Sequence, residues 1–103
     1  MYFIEVKDDS RIADTGNVLC EERVFFREGN YFQKGFMYSD YEIFCVVSQP
    51  ERKMYFIDFN VLKQIYKKGD YKEIHHPQQY SECYLLELCR IKQYGALIKV
   101  IDY

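Results

Sequence analysis

The chain opens on alternation. In Tyr2-Phe3-Ile4-Glu5-Val6-Lys7 the residues Tyr2, Ile4 and Val6 share one face and Phe3, Glu5 and Lys7 the other, the period-2 pattern of a strand. Residues 8–18 predict a loop, because Asp8, Asp9, Ser10, Asp14, Thr15, Gly16 and Asn17 satisfy their own backbone in turns. A second strand is expected at 19–27, closed by a turn at Gly29-Asn30, followed by a short helical turn at 36–40. The β-branched and aromatic run 41–47 suits a buried strand. Past the turn Gln49-Pro50-Glu51-Arg52, residues 53–57 return as its hairpin partner.

Asp58 reads as a helix N-cap, Val61, Leu62, Ile65 and Tyr66 fall at helical spacing, and Gly69 stops the element. Residues 71–75 predict an edge strand stopped by Pro77, residues 82–86 a further strand, 87–94 a helix ended by Gly95, and 97–101 a last strand. The expected architecture is one α+β domain over 1–103, a mostly antiparallel twisted sheet carrying about two helices.

Composition agrees with a folded core, an aromatic one: 49% of the 103 residues are apolar, with eleven Tyr, eight Phe and no Trp. The net charge of −2 excludes binding to nucleic acid through the overall field, so any such contact needs a local patch. Residues 52–72 supply one, with Arg52, Lys53, Lys63, Lys67, Lys68 and Lys72 against Asp58 and Asp70, whereas 1–28 hold seven acids and four bases. Lys63, Lys67 and Lys68 form a stripe suited to phosphates, and equally suited to the solvent face opposite the apolar stripe. Tyr31, Phe32, Phe36, Tyr38 and Tyr41 suit base stacking or the wall of a small core. Cys20, Cys45, Cys83 and Cys89 are scattered and no leader precedes them, which predicts reduced thiols and a cytoplasmic location. No window nears the roughly 20 apolar residues of a membrane span, so no membrane partner is expected.

Glu5-Val6-Lys7 sets a carboxylate and an ammonium side by side on one strand face. Metal-assisted phosphodiester hydrolysis uses that pair: the carboxylate holds a divalent ion and the lysine positions the attacking water. The same tripeptide also reads as a solvated ion pair on an open strand face. A zinc-type set is offered by His75, His76, Cys83 and Cys89, although no Cys-x-x-Cys or His-x3-His spacing is present; buried thiols are the alternative. No Gly-x-Ser-x-Gly or glycine-rich phosphate loop supports nucleophilic or nucleotide chemistry.

The string Phe3-Ile4-Glu5-Val6-Lys7-Asp8-Asp9, followed by Arg11-Ile12-Ala13-Asp14-Thr15-Gly16-Asn17 and Glu21-Glu22, resembles the third-strand motif and following loop of small phage-associated PD-(D/E)XK nucleases. Tyr55-Phe56-Ile57-Asp58-Phe59, Lys63-Gln64-Ile65-Tyr66 and Cys83-Tyr84-Leu85-Leu86 resemble their second half. The resemblance implies a PD-(D/E)XK-like core, with Glu5 a ligand to magnesium or manganese, Lys7 the catalytic lysine, and Asn17 and Glu21 or Glu22 near the pocket. It also implies an upstream Asp ligand, yet only four residues precede Glu5. Asp8, Asp9, Asp14 or Glu21 would have to substitute, or a second chain complete the site. The expectation is therefore a nuclease remnant that acts by binding a protein, in size and mobile-element origin resembling the anti-CRISPR inhibitors of host defence nucleases. Its acidic first third, including Asp14 and Glu22, would imitate phosphate toward a basic cleft. The alternative is a divalent-metal nuclease with a substituted or dimer-completed site.

Overall fold

The two periodicities of the chain produce eight strands and three helices among the described residues of the computed structural model, which are 3–25, 32–34, 40–76 and 81–103. In chain order they are β1 (Ile4–Asp8), α1 (Ile12–Thr15), β2 (Asn17–Phe25), β3 (Phe32–Lys34), β4 (Ile43–Ser48), β5 (Lys53–Asp58), α2 (Phe59–Lys67), β6 (Lys72–His76), β7 (Ser81–Glu87), α3 (Leu88–Gln93) and β8 (Leu97–Asp102). The class is α+β. The readings at Tyr2, Gly29-Asn30, 36–39 and Pro77, and of Tyr31, Phe36 and Tyr38 as a platform, lie outside the described residues.

The strands divide between two four-stranded sheets rather than one: β1-β4-β5-β8 and β3-β2-β7-β6. Among the described strands only β1 and β4 run parallel; every other described pair is antiparallel. Periodicity reports which face of a strand is apolar and is silent about its neighbour, so the division was not readable from it. The separation begins in the segment expected to be all loop. Ile12, 3% exposed, anchors the single turn of α1, and Gly16 at φ +67° ends it by donating its N–H to the Ile12 carbonyl at 3.0 Å. That left-handed residue turns the chain from the first sheet into β2 of the second.

One core joins both sheets. Phe44, Val46, Tyr55 and Ile57 come from the first, Val18, Cys20, Tyr84 and Leu86 from the second, and Phe59, Leu62, Ile65 and Ile91 from α2 and α3. α2 starts where expected, since the Asp58 carboxylate accepts the Asn60 and Val61 N–H groups at 3.0 and 3.2 Å. Its apolar stripe follows from the spacing of Phe59, Leu62 and Ile65, all fully buried. Phe59 then meets Phe44 edge-on, ring centroids 5.9 Å apart.

The faces of β1 are the reverse of an open ion pair over a buried apolar stripe. Glu5 and Lys7 register with Phe44 and Val46, whose side chains lie in the core, so the charged residues point inward. Ile4 and Val6 point outward and are 43% and 63% exposed. Because β1 is the outermost described strand of its sheet, its inward face meets the rim of the core, where charged groups stay hydrated and half-buried.

Candidate functional site

The feature that stands out is the outer face of the first sheet, which no described helix covers. Its register gathers Ile4 and Val6 of β1, Ile43, Cys45 and Val47 of β4, and Met54 and Phe56 of β5. On β8 the ladder shifts between Phe56 and Ile57, which leaves Ile98 unpaired beside Lys99. Ile98 is 52% exposed. Between β4, β5 and β8 this face dips into an open groove of about 670 Å3, floored by Ile43, Phe56 and Ile98 and rimmed by Glu42, Asp58 and Lys99. The Lys99 ammonium lies 5.2 Å from the Phe56 ring centroid, a cation over an aromatic face. The sequence carries no separate signal for this site, because Ile98 and Phe56 look like any interior strand residues.

The motif residues are arranged differently from a metal centre. Glu5 faces inward and Asp8 outward, on opposite faces of the same strand, and Asp8 accepts the Gln49 amide at 2.7 Å. Asp9 is 7% exposed and accepts the Arg11 backbone N–H at 3.2 Å, with the Arg11 guanidinium 3.9 Å away. Among the described residues no three His, Cys, Asp or Glu side chains converge on one point. Glu5, Asp8 and Asp9 therefore do not converge on a shared divalent ion. Glu21 and Glu22 lie on β2, with side chains outside the described residues. Lys7 does share the inward face with Glu5, close enough to Cys20 that its ammonium opposes the rise that burial imposes on that thiol.

Thr15-Gly16-Asn17 has a local explanation. The Thr15 hydroxyl donates to the Arg11 carbonyl at 2.8 Å and accepts the Asn17 N–H at 3.2 Å, while the Gly16 carbonyl accepts the Leu88 N–H at 2.7 Å. The tripeptide thus ends α1 and ties it to α3. Asp14 is exposed on α1, and Asn17 lines a second open groove, of about 380 Å3, with Lys72, Lys92 and Cys89. There Lys72 stands 3.8 Å from Glu87.

The zinc-type residues separate. Cys83 is buried and Cys89 exposed on α3, and the ladder sets His75 opposite Glu82 and His76 opposite Ser81, their side chains lying outside the described residues. All four cysteines are free thiols, three of them buried. Of the lysine stripe, Lys63 lies over the Phe59 ring at 4.8 Å and Lys68 over the Tyr94 ring at 4.9 Å, so both cover aromatic surface; Lys67 is exposed. No described helix is long and apolar enough to cross a membrane.

No protein-family model, curated protein or solved structure matches the chain.

Proposed function

We propose that this chain is a non-catalytic binding protein of PD-(D/E)XK-like ancestry, and that it inhibits a host defence nuclease of the CRISPR type by protein–protein contact. The observation that supports this is the uncovered apolar face of the first sheet, with Ile4, Val6 and Ile98 all more than 40% exposed. Contiguous apolar surface on a small chain marks an interaction site, and aromatic floors such as Phe56 serve as anchors. Glu42 and Asp58 on the groove rim suit a basic surface, the kind that a nuclease presents to phosphates. The nuclease ancestry rests on the sequence resemblance around Glu5-Val6-Lys7.

The test is DNA cleavage by a reconstituted CRISPR effector with and without the protein, repeated with Val6→Asp and Ile98→Asp. Inhibition that both variants lose supports the reading; inhibition that neither variant affects removes the face from it. The alternative, a metal nuclease, is checked on the protein alone with magnesium or manganese. Cutting that Glu5→Gln and Lys7→Ala both abolish would replace the binding role with an enzymatic one.

A further inference from the structure

β1 and β8 are the outer strands of the first sheet among the described residues. The two margins differ. β8 is blunted by its register shift and by Lys99, both devices that keep a sheet edge from pairing. β1 pairs in regular register over all five residues, Ile4↔Ile43 to Asp8↔Val47.

The direction of its backbone groups is fixed by two hydrogen bonds. The Phe3 carbonyl accepts the Ile43 N–H at 3.2 Å, and the Asp9 N–H donates to the Val47 carbonyl at 2.9 Å. Backbone groups alternate in direction along a strand, so those of Phe3, Glu5, Lys7 and Asp9 face β4. Those of Ile4, Val6 and Asp8 face the margin that no described strand covers.

We propose that β1 pairs antiparallel with β1 of a second copy about a two-fold axis at Val6, joining two four-stranded sheets into one of eight strands. Three registers satisfy the backbone directions with substantial overlap, centred on Glu5, Val6 or Lys7. Centring on Glu5 sets Glu5 against its own copy, and centring on Lys7 sets Lys7 against its own copy; both juxtapose like charges. Centring on Val6 sets each Glu5 opposite the partner's Lys7, the one arrangement in which both charges are matched. It also gives the longest overlap.

The hydrogen-bonded pairs are then Ile4 with the partner's Asp8, Val6 with the partner's Val6, and Asp8 with the partner's Ile4, making about six backbone bonds. Glu5 and Lys7 fall at the non-hydrogen-bonded positions, where facing side chains approach most closely. Against any strand lacking the reversed charges the same pair is a deterrent, so it selects a second copy of this chain. On the outward face the two stripes of Ile4 and Val6 become continuous.

Five-residue strands give a contact below the roughly 1,200 Å2 of stable complexes, so the dimer is weak, with a Kd on the order of 10–100 μM. The inference is independent of the inhibitor reading.

The experiment is sedimentation equilibrium from about 5 μM to about 1 mM, a range set by that expected affinity, on wild type, Glu5→Lys, Lys7→Glu and the double reversal. Each single reversal creates like-charge pairs and is expected to weaken self-association about tenfold or more. An equimolar mixture of the two single variants restores the heterodimer, and the double reversal restores the homodimer. Amide exchange supplies a readout without mutation: the Ile4, Val6 and Asp8 N–H groups gain protection with concentration while those along the open edge of β8 do not. A wild type that remains monomeric at 1 mM overturns the proposal. So does a dimer that both reversals leave intact, which would place the contact on the outer face instead.

Discussion

The Tyr55 hydroxyl lies within hydrogen-bond distance of both Glu51 carboxylate oxygens, 3.1 and 3.0 Å away, and the buried Ser48 hydroxyl donates to the same carboxylate at 3.0 Å. Glu51 therefore closes the β4–β5 hairpin from its turn, satisfying two hydroxyls that the core would otherwise leave without a partner. Tyr55→Phe removes one of these bonds and is expected to cost about 1–2 kcal/mol, read from the urea midpoint at constant m.

The same contact sets an alkaline limit. Burial, followed by the Glu51 hydrogen bond and the nearby negative charges of Glu51 and Asp102, pushes Tyr55 up to about 12. A folded-state value above the unfolded one means that the native state holds the proton longer. The associated stability is complete below about pH 10, the ordinary tyrosine value, and is lost as pH rises toward 12. Wild type is expected to lose its advantage over Tyr55→Phe across that window, a difference in which the other tyrosines cancel. Unfolding free energies of the two proteins between pH 8 and pH 12, the window bracketing that titration, would show it.

Asp58 alone accepts two N–H groups at the start of α2. Asp58→Ala should destabilise the fold by about 1 kcal/mol, and Asp58→Asn by distinctly less, because an amide oxygen caps nearly as well. Equal losses in chemical denaturation would point to the charge and not to the cap.

Thiol reactivity should follow burial. Cys89 is exposed, while Cys20, Cys45 and Cys83 are buried and burial raises the Cys20 and Cys45 thiols. A thiol-specific reagent is expected to modify Cys89 alone in the native protein and all four cysteines in denaturant. Rapid native labelling of a second cysteine, located by peptide mass, would contradict the packing described.

Val6 and Ile98 are more than half exposed and meet solvent on the outer sheet face. Their replacement by Asp should leave stability within about 0.5 kcal/mol of wild type, since exposed positions contribute little. Partner binding through the face should fall at least tenfold, measured by calorimetry on whichever effector is inhibited.

Local chemistry decided much of the molecule without help from tertiary contacts. Asp58, the Val61-Leu62-Ile65-Tyr66 spacing and Gly69 specify α2, and the apolar runs of β4, β5, β7 and β8, β-branched in β4 and β8, aromatic in β5 and leucine-rich in β7, specify strands within a residue or two of their observed ends. These signals act within one turn or one hairpin, so the sequence states them directly. The pairing partners were decided elsewhere. Which strands share a sheet depends on contacts between residues far apart in the chain, such as Val6 with Cys45 or Val18 with Leu86, and alternation is blind to them. Orientation followed the same rule. Glu5 and Lys7 face the core rim because β4 presents Phe44 and Val46 on that side, and Ile4 and Val6 stand in water because the helices and the second sheet pack on the other. A strand's sequence names its two faces; only the elements packed against it determine which face is buried.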